Sequence, residues 1–124
     1  MKFIQNYLFL ISIITFLLGG FLVAAPALAI SIFFNDQTVY TQFFVRITGS
    51  TLVGYSALNN LASRSDLKEI IKIAVYGNLS TLLVATVITL FYFARFDSFG
   101  WLIVGQHLFF AFGFLICLHK LKSV

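Results

Sequence analysis

Apolar residues dominate four stretches, about 7–34, 39–62, 70–93 and 101–119, the second being the most polar of the four, and short polar breaks separate them. An α-helix needs about 20 apolar residues to cross roughly 30 Å of hydrocarbon, so the pattern predicts an all-α membrane protein, a bundle of four transmembrane helices. The first stretch is longer than a bilayer requires, which predicts a tilt or a bend, with Gly19-Gly20 and Pro26 as the bend sites. Breaks are expected at 35–38, at Ser63–Glu69 and at 94–100. In the middle break, Asp66 and Glu69 resemble a helix-capping pair. Four such spans use up most of 124 residues, so a single membrane domain over 1–124 is expected.

Lys2, the apolar run Tyr7–Ala25 and the Ala27-Leu28-Ala29 triplet imitate a secretory signal with a small-residue cleavage site. The run exceeds the usual 7–15 or so apolar residues, and apolar residues continue past the triplet through Phe34. A retained first helix is therefore expected.

Composition points the same way. The chain is 60% hydrophobic and 10% charged, with a mean hydropathy of +1.01. Soluble domains lie near 45–50% apolar and about 25% charged. The net charge of +4 informs orientation more than partner class. Lys2, Arg64, Lys68, Lys72, Lys120 and Lys122 fall on one side of the predicted spans and Arg46 and Arg95 near the other, which predicts cytoplasmic termini, N-in and C-in. Tyr7, and on the other side Tyr40, Tyr92 and Trp101, fall at the expected interface depths. No basic run with interleaved aromatics lies outside the spans, so nucleic acid is not an expected partner. The expected location is multi-pass, in a bacterial inner membrane or an equivalent internal membrane.

Candidate chemistry is sparse. Arg46 lies inside the second stretch, where a guanidinium must pair or reach headgroups, and Asp36 and Asp97 are its candidate partners for an ion pair or an anionic ligand. His107 is a candidate axial ligand for haem or chlorophyll, although no cofactor is required by the sequence. His119 lies twelve residues further on, about 18 Å along a helix, so one chain cannot clamp a metal between both. Gly49, Ser50, Gly54 and Ala57 form a small-residue stripe suited to close helix packing, and Asn59, Asn60 and Asn78 can bridge the second and third spans.

The absences narrow the choice further. All four acids, Asp36, Asp66, Glu69 and Asp97, fall in loops or at helix ends, which argues against a proton-coupled multidrug carrier. The lone Cys117 excludes an intrachain disulfide and a paired-cysteine redox centre. Ser50 and His107 share no nucleophile–base motif. An enzyme is not expected.

Arg46-x-x-Gly49 opening a span, Gly54 and Ala57 after it, and the charged turn Arg64–Lys68 before a third helix resemble small bacterial four-helix membrane proteins of the DoxX-like group. The resemblance covers roughly Arg46–Thr86. It implies a four-helix bundle and brings no catalytic residues. The leading expectation is a non-catalytic membrane subunit or accessory protein that packs against other membrane proteins or itself, with room for lipid or pigment among its sixteen phenylalanines. The alternative is a small carrier or binding module for a lipid-like or anionic ligand, built on Arg46 and the polar second span.

Overall fold

The computed structural model describes residues 1–33, 38–91 and 100–122. Those residues form five helices: α1 (Lys2–Ala24), α2 (Pro26–Phe33), α3 (Val39–Ser63), α4 (Lys68–Phe91) and α5 (Gly100–Lys122). Helices α1 and α4, and α5 from Trp101 onward, are long and apolar enough to cross a bilayer. At 25 residues α3 has the length, but its threonines, serines, asparagines and Arg46 keep it below that apolar content. Asp36, Arg95 and Asp97, with most of the first and last expected turns, lie outside the described residues.

The first apolar stretch divides in two. Pro26 has no N–H to give the Leu22 carbonyl, and α1 ends at Ala24, capped by Ala25, whose φ of −131° and ψ of 56° leave the helical region. A straight helix over both pieces would be about 48 Å long against roughly 30 Å of hydrocarbon. At the next turn, the capping expectation for Asp66 needs correction. Helix α4 starts at Lys68, so Asp66 lies outside the capping position and its carboxylate takes no hydrogen bond from the described residues. Ser65 Oγ serves instead, accepting the Leu67 N–H at 3.1 Å. Glu69 turns to Lys72, at 3.8 Å.

The helices associate as two antiparallel pairs, α1 with α3 and α4 with α5. In the first pair, a Cβ on Gly19 would lie 2.6 Å from the Gly49 carbonyl oxygen, and one on Gly49 would lie 2.7 Å from that of Gly19. The backbones therefore touch where two glycines face each other. Seven residues toward the chain termini on α1 and toward the α4 turn on α3, Ser56 Oγ donates to the Ser12 carbonyl at 2.7 Å. Small residues thus recur at a heptad interval on both helices, as Ser12 and Gly19 on one and Gly49 and Ser56 on the other, and hold them close. Helix α2 extends this pair, packing Ala29 and Ile30 against Val45.

The two pairs join through one apolar core at the end where the chain termini and the α3–α4 turn meet. Ile4, Leu8 and Ile11 of α1 meet Ala62 of α3, Ile71, Val75 and Leu79 of α4, and Ala111, Phe114 and Cys117 of α5. Tyr7 keys α1 to α5: its hydroxyl donates to the Phe110 carbonyl at 3.1 Å, and its ring meets Phe114 edge-on at 5.0 Å. A Cβ on Gly113 would collide with that ring. Gln5 Nε2 donates to the Ser65 carbonyl at 2.9 Å, tying the start of α1 to the turn.

Candidate functional site

Helix α3 is where the polar side chains concentrate, and its two sides behave differently. The inward side carries Gly49, Ser56 and Asn59, all buried. Asn59 Nδ2 donates to Asn78 Oδ1 at 3.1 Å, and Asn78 Nδ2 donates back to Asn59 Oδ1 at 2.6 Å and also to the Ala74 carbonyl at 2.7 Å. With 0% and 7% of their surface accessible, the two amides leave little of their hydrogen-bonding capacity facing anything else. Nearer the other end, the Tyr55 and Thr81 hydroxyls meet at 2.6 Å. Asn60 is half-buried and makes no side-chain hydrogen bond among the described residues; its carbonyl accepts from Ser63 Oγ at 2.7 Å.

On the outward side lie Arg46, Ser50, Gly54 and Ala57, all exposed. Nothing comes within 4 Å of where a Gly54 Cβ would be. No helix among the described residues covers the stripe, so of the four small residues only Gly49 packs against another described helix. The hydroxyls here bond back along their own helix: Thr48 to Phe44 at 3.0 Å, Ser50 to Arg46 at 2.9 Å and Thr51 to Ile47 at 3.0 Å, each on the carbonyl four residues earlier. Back-bonding of this kind hides most of the hydroxyl polarity from an apolar surrounding. The outward face is therefore drier than its composition implies. Exposed Ile47, Leu58 and Leu61 frame it.

Arg46 forms no ion pair among the described residues, and Asp36 and Asp97, its candidate partners, lie outside them. His107 is half-buried on α5, with a fully buried Nδ1 that has no hydrogen-bond partner among the described residues. The other histidine, His119, is exposed about three turns further along the same helix, so the two cannot flank one metal ion. Ser50 Oγ is engaged with the Arg46 carbonyl, and no hydrogen bond links it to His107. The arrangement is suited to packing, and Ser50 and His107 are not held against each other.

Sequence reasoning missed Gly19 as the partner of Gly49, and Ser12 as the partner of Ser56. The heptad spacing of small residues in both apolar stretches is the signal that carries them. It also missed Gly113 as the seat of Tyr7, which no local pattern marks. No family model, curated protein or solved structure matches this chain.

Proposed function

We propose that the chain is a four-span membrane protein with cytoplasmic termini, acting as a non-catalytic subunit that docks onto another membrane protein through the outward face of α3. The observation that carries this reading is the uncovered stripe of Ser50, Gly54 and Ala57 on the least apolar of the long helices. Helices in lipid associate by close packing and backbone approach, because lipid tails are as apolar as side chains and supply no hydrophobic drive. An open glycine on an exposed helix face is where such an approach costs least. The six-to-two division of basic residues supports the orientation, and the likeness to DoxX-like proteins enters only through the bundle it implies. The carrier alternative is weaker because the buried polar side chains of the α1, α3 and α4 interfaces, Ser12, Ser56, Asn59 and Asn78, are satisfied by one another or by backbone.

The test is Gly54→Leu, read by what co-migrates after mild detergent extraction and by thermal stability of the isolated chain. We expect the co-migrating partner to be lost while the melting temperature stays unchanged. A partner retained by the variant would remove the face from the interface and overturn the reading.

A further inference from the structure

A recess opens between the first turns of α4 and the last turns of α5, at the same end as the apolar core. Lys68, Glu69, Lys72 and Tyr76 line it from α4, and Leu118 and Lys122 are among the residues lining it from α5. Its volume is about 270 Å³. Lys68, Lys72 and Tyr76 stand at helical intervals of four along one face of α4, with Glu69 beside them, and Leu118 and Lys122 repeat that interval across the recess. Three lysines from two helices thus line one concavity. Glu69 is the one carboxylate among its described lining residues and lies 3.8 Å from Lys72. Half-exposed as it is, that pair holds Lys72 only weakly. The formal balance, three lysines against one glutamate, leaves two positive charges in the recess.

The rest of the lining is chosen for an interface. Tyr76 and Leu118 lie deeper along the helices than the lysines, so the recess is cationic at its mouth and apolar below. Since α4 and α5 are long and apolar enough to cross a bilayer, this mouth falls at headgroup depth. A soluble anion would have no use for the apolar part, whereas a phospholipid would place phosphate among the lysines and an acyl chain against Leu118. Basic pockets between transmembrane helices hold anionic headgroups in this way. We propose that the α4–α5 recess is a binding site for an anionic phospholipid, and that its two net charges favour a headgroup with two phosphodiesters over one with a single phosphodiester.

The proposal rests on the chain residing in a membrane but not on the docking role of α3, and the two fail separately. The experiment is a lipid titration of the full chain in neutral detergent, read by native mass spectrometry. The probes are diphosphatidylglycerol, phosphatidylglycerol and phosphatidylcholine. The first should bind most tightly, by about tenfold or more over phosphatidylcholine, given roughly fivefold per basic residue engaged. Replacing Lys68, Lys72 and Lys122 together by Gln should abolish the preference, and replacing them by Arg should keep it. Lys2→Gln with Arg64→Gln removes charge at the same end outside the recess and should change affinity less than about threefold. Glu69→Gln removes the competing carboxylate and should tighten binding, an effect that damage to the fold cannot imitate. Equal losses in the recess and control variants would reduce the site to diffuse surface charge and overturn the proposal. Complete displacement of the lipid by excess sodium pyrophosphate would overturn it in favour of a soluble anion.

Discussion

Gly49 and Gly54 lie five residues apart on α3 and have opposite surroundings. At Gly49 an added methyl meets the Gly19 carbonyl oxygen at 2.7 Å and the Leu22 Cβ at 2.9 Å. Backbone cannot step aside as a flexible side chain can, so Gly49→Ala must separate α1 from α3 or strain both. Overpacking of this kind costs about 1–3 kcal/mol, and the expected outcome is a clear fall in the melting temperature of the detergent-solubilised chain. At Gly54 nothing resists. The stripe containing both was legible in the sequence, but which member faces inward was not. That choice depends on the rotation of α3 about its axis, and the rotation is set by Ser12 and Gly19 on a partner some 30 to 44 residues away. The hydroxyls misled in a related way. Thr48, Ser50 and Thr51 read as polar in composition yet spend their hydrogen bonds on their own helix.

At the scale of elements, the seam between α3 and α4 is thin beside those within the two helix pairs. Few side chains cross it besides the Asn59–Asn78 and Tyr55–Thr81 contacts, and an open groove of about 270 Å³ lies along it. The amide pair therefore adds a polar link beside the apolar core that joins the two helix pairs. Asn59→Leu should destabilise the chain by about 1–3 kcal/mol, because it leaves the buried Asn78 amide short of a partner. Adding Asn78→Leu should return part of that loss, and the coupling from the double-mutant cycle should lie near 0.6–2 kcal/mol, read from unfolding in mixed detergent. Independent, additive effects would mean that the amides are not joined. The helices themselves were legible from apolar run length, and Pro26 marked the break between α1 and α2. The start of α4 was not, because Asp66 and Glu69 have the spacing of a cap while the helix begins at Lys68, beyond the capping place for Asp66.

For the molecule as a whole, the apolar core sits at the end that holds Lys2, Arg64, Lys68, Lys72, Lys120 and Lys122. The proposed orientation puts this end in the cytoplasm. Cysteine labelling in a Cys117→Ala background checks it: a cysteine at position 66 should react only with reagent on the cytoplasmic side, and one at position 36 only from the opposite side. The reverse pattern would invert the topology. Cys117 itself is fully buried and should contribute little labelling even when retained.

The clasp between α1 and α3 has a consequence for the order in which the chain is made. Helix α1 leaves the ribosome before α3, and the hydroxyls in its middle are already quiet: Ser12 Oγ donates to the Phe9 carbonyl and Thr15 Oγ1 to that of Ile11. It can wait alone in lipid. Helix α3 is poorly equipped to do so, since it is the least apolar of the long helices and carries an amide whose partner, Asn78, lies 19 residues further along the chain and is not yet available. What α3 does find on arrival is a surface with a glycine and an accepting carbonyl at matching heptad positions. In the four-span reading the first helix is thus a nursemaid for the second long one, and the asparagines close the assembly only when α4 emerges.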